Sequence, residues 1–518
     1  MPTAFASTLH EGHLLSSRRV GDKRQAHRMS SGQAMRRGAA WVLIGKAGDQ
    51  FLGFAFGVVL ARLLAPEVFG LLLTIQVFTG LAGFISGGGM GQALVRARSV
   101  TKADLDIVFT MQLMAGCVIY TAFFLSAPLF AHWYDEPLYT DLLRVSALSF
   151  LFRPLINLPN NILFRQMRYK ARAGVSLATL LASSAVSIVL AYLDYGVWSL
   201  VWGGMAGSIV HAALAANLAS WRPGLSTEFR RGAELARYGF LVSANDIVYY
   251  IRSQLSIFIL SQRLGPASVG LYNKGESLAR MPFRFAAGSV YDVLFRALAA
   301  EQSNLDKGRY LFVRSITLVA VYASPLYVGL IWLAEPLVRG VYGPKWVEAA
   351  QPLLILSAAW PFWLLDNFSG AVAAAHDQLH KELPIQVTSV VVTALAIVAT
   401  LPFGLSGVAW GITGSTAFIS ILMLRMALTT LQARWWDALV ALIPAAALNI
   451  PLGLALWLAN WAMPRALKEH DLLHVIALGG FGGIVYAALF LLMPLPTLAP
   501  EQHRWRKLLR LPSSSVPI

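Results

Sequence analysis

The sequence predicts an all-α polytopic membrane protein of about fourteen transmembrane helices: two six-helix lobes in a parallel pseudo-two-fold repeat, plus two C-terminal helices. Three observations predict it. Of 518 residues, 57% are hydrophobic and 13% charged, against about 25% charged in a typical soluble domain. Apolar runs of roughly 20 residues, enough to span a bilayer, recur from near residue 40 to near 494. Segments of the first half return in the second at a nearly constant offset. The apolar runs exclude a soluble enzyme, a nucleic-acid-binding domain and a β-barrel, whose mark is short alternating segments.

In chain order, the first 37 residues are polar and basic, with Arg18, Arg19, Lys23, Arg24, Arg28, Arg36 and Arg37. They lack the apolar core of a signal peptide, so 1–37 is expected to be a disordered cytoplasmic tail. Candidate spans follow at roughly 40–62, 69–95, 107–130, 142–164, 174–193, 197–219, 238–261, 282–300, 311–333, 350–374, 384–402, 405–427, 436–460 and 472–494. Gly and Pro inside them are tolerable where neighbouring helices re-satisfy the backbone. The spans at 238–261 and 282–300 are the least hydrophobic. The expected division is an N-lobe at 38–220, a cytoplasmic linker at 221–237, a C-lobe at 238–430, the last two helices at 431–495 and a cytoplasmic tail at 496–518. The one cysteine, Cys117, lies in an apolar run, so no intrachain disulfide is available.

Basic residues orient the spans, because cytoplasmic loops carry an excess of Lys and Arg. With the N-terminus inside, 28 of the 42 Lys and Arg fall in inside segments, nine in outside segments, and five within spans: Lys46, Arg144, Arg153, Arg252 and Arg296. Lys274, Arg280 and Arg284 are counted outside. Both termini are therefore expected in the cytoplasm. The outside loops are short, the longest roughly 20 residues, too small for a separate catalytic domain.

The repeat is legible in three places. Leu60, Leu64, Pro66, Gly70 and Leu71 recur 200 residues later as Leu260, Leu264, Pro266, Gly270 and Leu271. Pro128, Leu129 and Tyr134 recur as Pro336, Leu337 and Tyr342, and Gly196, Trp202 and Gly203 as Gly404, Trp410 and Gly411, both at an offset of 208. Six helices per copy is an even number, so the copies share one orientation. Parallel repeats of this kind build transporters with a site between two lobes.

The stretch LARLLAPEVFGLLLTIQVFTGLAGFISGGGMGQALV, Leu60 to Val95, resembles the opening signature of the polysaccharide-exporter branch of the MOP flippase superfamily, nearest its lipopolysaccharide/colanic-acid exporter type. Gly265 to Pro282, Val341 to Ala350 and Phe164 to Lys170 are similar to further segments of that branch. Arg296 stands where the branch would place proline. The resemblance implies an inner-membrane protein that moves undecaprenyl-diphosphate-linked oligosaccharide repeat units from the inner to the outer leaflet for surface polysaccharide assembly. The implied partners are that lipid-linked oligosaccharide, the phospholipid bilayer, and a polysaccharide polymerase with chain-length and export machinery. No cofactor, metal or nucleic acid is expected, and the chain is expected to act as a monomer. A diphosphate with several sugars cannot cross hydrocarbon unaided and needs a polar, cationic cavity.

Ionisable residues inside spans are costly, and each is a functional candidate. Lys46 and Asp49 share a helix face with Gln50, either as a self-neutralising pair or as part of a site. Asn245, Tyr249 and Arg252 form one stripe of the seventh span, and Asp246, Tyr250 and Ser253 a second beside it. Lys46 and Asp246 are repeat mates, placed to form a state-dependent pair or to be buried separately. Arg252 is the preferred phosphate ligand, since guanidinium grips phosphate bidentately. Arg153, followed by Pro154, Asn157 and Pro159, would face a cavity; Arg144, near the outer edge, would snorkel. Lys46, Arg153, Arg252 and Arg284 are the expected substrate-binding set. Asp49, Asp246, Asp292 and Asp366 are the candidates for ion coupling, with Asp292–Arg296 pairing and Asp366 backbone capping as structural alternatives.

His376 and His380 have the spacing of a metal pair on a helix, but no further ligands accompany them, and they read as a solvated loop. Gly87 to Gly91 lacks the Lys-Ser/Thr of a phosphate loop and suits close helix packing. Two other functions compete. A cation-coupled drug antiporter of the same superfamily would want an acidic cavity. A membrane polymerase or glycosyltransferase would want a sizeable outside loop.

Overall fold

The structure, a computed structural model, describes residues 45, 48–87, 89–96 and 99–511, and among these the regular elements are all helices. Helix α1 covers 48–63. Then come α2 (Pro66–Gly87), α3 (Met90–Arg96), α4 (Lys102–Trp133), α5 (Leu138–Ala147), α6 (Ser149–Arg165), α7 (Tyr169–Tyr192), α8 (Val197–Leu218), α9 (Phe229–Arg263) and α10 (Gly265–Ala300). They are followed by α11 (Leu305–Trp332), α12 (Ala334–Tyr342), α13 (Ala350–Ala358), α14 (Trp360–Ala375), α15 (Leu379–Thr400), α16 (Gly404–Thr430), α17 (Trp435–Ala462), α18 (Arg465–Glu469), α19 (Asp471–Leu492) and α20 (Ala499–Leu508).

Nine stretches of the described residues are long and apolar enough to cross a membrane; one, Leu379–Thr430, is the α15–α16 pair. The protein is thus a multi-pass membrane protein. Other expected spans miss that threshold for visible reasons. The span holding α1 lies partly outside the described residues, as do the expected N-terminal tail at 1–37 and the end of the C-terminal tail. Helices α9 and α10 carry many charged residues, and α13 and α14 are separated at Ala359, just before Pro361.

One expectation is corrected. The longest outside loop, placed before residue 282, is instead the first half of α10. A proline at its first turn starts it, where the missing N–H costs nothing, and it runs unbroken for 36 residues. Hydrophobicity failed to reveal it because Lys274, Glu276, Arg280 and Arg284 lie along it. With Arg296 in place of proline, it continues to Ala300.

The chain divides into two compact units. The first holds the described residues up to Gly57 with Ala82–Leu129 and Thr140–Ala244; the second holds Val58–Leu81, Phe130–Tyr139 and the chain from Asn245 onward. A core of the first unit packs Met90, Leu94, Val108, Phe109, Leu158, Leu163 and Trp221. In the second, Leu333, Leu452, Leu456 and Leu478 tie α17 and α19 to the end of α11, and Ala373, Ile419, Met423 and Met426 join α14 to α16.

The internal repeat is also written in the backbone. Left-handed residues recur in matched turns: Asp135 (φ 53°) and Gly343 (φ 99°), Met167 (54°) and Asp377 (57°), Gly196 (54°) and Gly404 (68°), Ser220 (51°) and Gln432 (52°). Non-glycine residues seldom adopt this region, so the two pairs without glycine, Met167 with Asp377 and Ser220 with Gln432, are the informative ones. The α6–α7 and α14–α15 turns even share their closing bonds, Arg168 N–H to the Leu163 carbonyl at 2.9 Å and Gln378 N–H to the Ala373 carbonyl at 2.8 Å. Gly203 and Gly411 each press against a hydroxyl and a backbone carbonyl of the helix before them, Ser187 with Ser183 in one unit and Thr400 with Ala396 in the other.

Candidate functional site

The second unit encloses a cavity of about 740 Å³ bounded by the C-terminal half of α9 and by α10, α14, α15 and α16. Helix α9 supplies Tyr249, Arg252 and Ser253, and α10 supplies Glu276, Arg280 and Arg284. Helix α14 adds Trp363, Asp366 and Asn367, and α15 adds Glu382 and Gln386. This polar face accounts for part of the hydrophilic look of α9 and α10: Arg252 of α9 and Glu276, Arg280 and Arg284 of α10 turn to the cavity, as intramembrane charges do, whereas Asp292 and Arg296 are exposed elsewhere on α10.

The charged groups form two linked sets. Arg252 lies 3.6 Å from the Asp366 carboxylate and donates to the Gln386 amide oxygen. Gln386 in turn donates to Glu382 at 3.2 Å. Arg280 bonds Glu276 one turn earlier at 2.8 Å and stacks over Trp363, 4.6 Å from its ring centre. Arg284 is exposed in the cavity wall and has no ion-pair partner among the described residues. Asp366 Oδ1 and Asn367 Oδ1 are buried and accept no hydrogen bond among the described residues.

Of the residues singled out in the sequence, Arg252, Arg284 and Asp366 therefore meet in one cavity. Tyr249 and Ser253 join them, whereas Tyr250 turns away and donates to the Gln76 carbonyl at 2.6 Å. Arg153 belongs to the first unit, where its guanidinium lies over the Phe150 ring at 4.7 Å and against Gly83, which has no side chain to obstruct it. Asp49, also in the first unit, accepts from Ser176 at 2.6 Å. Asp292 is exposed on α10 and does not line the cavity. Lys46 and the side chain of Asp246 lie outside the described residues, and with them the expected Lys46–Asp246 pair. Sequence reading missed Arg280, Glu276, Glu382 and Gln386. The i, i+4 spacing of Glu276 and Arg280 was a usable signal, hidden by reading 265–281 as a loop.

The helices around this cavity follow a fold seen in solved structures of other membrane proteins, among them a multidrug resistance MATE family transporter of the MOP superfamily in an inward-facing conformation, with a TM-score of 0.58 at 17% identity, covering 74% of this chain and 94% of that one. The solved structure of the lipid II flippase MurJ in an inward closed conformation superposes with a TM-score of 0.71 at 15% identity, covering 90% of this chain and 99% of that one. The chain belongs to the polysaccharide biosynthesis protein family, which matches residues 59–351. It is 24% identical over 321 residues to the succinoglycan biosynthesis transport protein ExoT of Rhizobium meliloti (strain 1021). It is 25% identical over 325 residues to the lipopolysaccharide biosynthesis protein WzxC of Escherichia coli (strain K12). Each alignment covers 62% of this chain, which spans about 65% of the length of these curated relatives.

Proposed function

We propose that this protein moves undecaprenyl-diphosphate-linked oligosaccharide repeat units across the bacterial inner membrane, by alternating access of two six-helix lobes, for the assembly of a surface polysaccharide. The observation that carries the proposal is the cavity with Arg252, Arg280 and Arg284 in its wall. Two of these guanidinium groups already neutralise Asp366 and Glu276, and Glu382 is engaged by Gln386. The wall's three guanidinium groups balance its three carboxylates, since the Gln386 amide leaves the Glu382 charge in place, and Arg284 is the guanidinium with no ion-pair partner among the described residues, open to a phosphate. Family membership and the similarity to the succinoglycan biosynthesis transport protein ExoT and the lipopolysaccharide biosynthesis protein WzxC support the same reading.

In this proposal Arg252 and Arg284 hold the diphosphate within the second unit, and Arg153 and Lys46 of the first half of the chain are further candidate ligands of the cargo. Asp366, with Asp49, Asp246 and Asp292 as further candidates, carries the coupling ion. The cavity is wet enough to moderate the attraction, so release depends on a change of access and not on weaker binding. Both termini face the cytoplasm, fourteen helices cross the membrane, and the chain works as a monomer beside the polymerase and export machinery, transporting and not catalysing.

The test is complementation of a strain lacking such a flippase. Restored polymer, with lipid-linked repeat units no longer piling up in the inner leaflet, is the expected result. Membrane-inserted protein that leaves the accumulated lipid-linked units unchanged would overturn it.

A further inference from the structure

A second, separate pocket of about 370 Å³ lies in the second unit, where α14 and α16 end and α15 begins. Its wall includes His376, Asp377, Gln378, Lys381, Thr429 and Thr430. The matched turn of the first unit shows what such a place can hold. There Arg168, the residue after the left-handed Met167, donates its guanidinium to the Leu218 carbonyl at the end of α8. In the second unit the residue after the left-handed Asp377 is Gln378, and the last residue of α16 is Thr430. Gln378 is too short to repeat the bond. Its amide donates instead to the nearby His376 carbonyl at 3.2 Å, and its Oε1 has no partner among the described residues. No donor among the described residues reaches the Thr430 carbonyl.

We propose that this pocket binds a primary ammonium group carried next to a phosphate, the phosphoethanolamine class of headgroup. The ammonium takes the place that the Arg168 guanidinium fills in the first unit. Gln302, also in the wall, already donates to the Ala375 carbonyl at the end of α14, so the open acceptors are the Thr430 carbonyl at the negative end of α16, the Asp377 carboxylate and Gln378 Oε1. Three N–H donors match that set of acceptors. Lys381, exposed at the start of α15, takes the phosphate. A trimethylated ammonium offers no N–H and cannot replace it.

The test uses the purified full chain in nanodiscs, with native mass spectrometry counting retained phospholipid after detergent release. Phosphatidylethanolamine should be retained over phosphatidylcholine of the same chains by about tenfold or more. Gln378→Arg, which supplies the missing guanidinium from the chain itself, should abolish that preference, and Asp377→Asn should weaken it if the arginine variant fails to fold. Soluble phosphoethanolamine is measured alongside. Binding of the soluble compound that is lost in Gln378→Arg, without a lipid preference, assigns the same chemistry to a free ligand. Equal retention of the two lipids with no soluble binding, or a preference that survives Gln378→Arg, overturns the proposal.

Discussion

Gly70 rests against the Pro266 carbonyl, and its repeat mate Gly270 rests against the Pro66 carbonyl. The motif that occurs twice in the sequence therefore packs against its own copy, within the second unit, where α2 crosses α10. Each glycine is required because a methyl group there would overlap a backbone oxygen. Backbone cannot rotate aside as a side chain can.

Gly70→Ala and Gly270→Ala are expected to destabilise the protein by ~1–3 kcal/mol or more each, the usual cost of overpacking. The double variant should lose less than the sum, since helices moved apart at the shared crossing to admit one methyl also make room for the other. Thermal unfolding in detergent measures this; unaltered midpoints would mean that the helices separate there at no cost.

Beside that crossing, the buried Trp346 donates its indole N–H to the Ala61 carbonyl at 2.7 Å. Lys274 sits among the rings of Phe69, Tyr342 and Trp346, with its ammonium 4.5, 5.2 and 5.5 Å from their centres. Trp346→Ala should cost ~3–5 kcal/mol. Lys274→Met keeps the apolar stem and should cost only ~1–2 kcal/mol, the worth of a desolvated cation–π contact. Equal losses for the two variants would refute the cage as the source of the lysine's stabilisation.

Arg252→Ala should leave the protein inserted and abundant while polymer export falls to background. The Arg252–Asp366 side chains are only 25% and 23% exposed, so Arg252→Ala also leaves the largely buried Asp366 carboxylate without its partner, and a measurable loss of stability should accompany the loss of export. Arg252→Lys should restore export only in part, because it keeps the charge but loses the two-pronged grip. Full export by Arg252→Ala, with membrane abundance checked by immunoblot, would remove Arg252 from the substrate site.

Arg284 carries no ion-pair partner among the described residues. Arg284→Gln is therefore expected to weaken cargo binding by roughly tenfold, in line with loss of a charge-assisted hydrogen bond, with no change in unfolding temperature. Binding of a lipid-linked diphosphate to the purified variant, followed against salt, is the measurement. A drop in stability with unchanged binding would make Arg284 structural.

Reporter fusions after residues 30 and 505 should both read cytoplasmic, as the excess of Lys and Arg in the inside segments requires. An outside signal from either fusion contradicts the orientation.

The sequence alone determined the fold class and the family, because both rest on local and countable features. Apolar run length marks a span whatever surrounds it, and a duplicated Leu-Pro-Gly motif remains visible wherever its copies lie. It also picked out Arg252, Arg284 and Asp366 as costly charges in spans. Only the tertiary structure decided that these three share a cavity, that Gln386 and Glu382 extend the Arg252 network, and that residues 265–281 are helix. It also decided that Tyr249 faces the cavity while Tyr250 binds α2. Helical spacing groups residues by face but does not say what each face meets. A span that turns charge toward water inside the protein looks, by hydrophobicity, like a loop. Which of the two it is depends on neighbouring helices that lie distant in sequence.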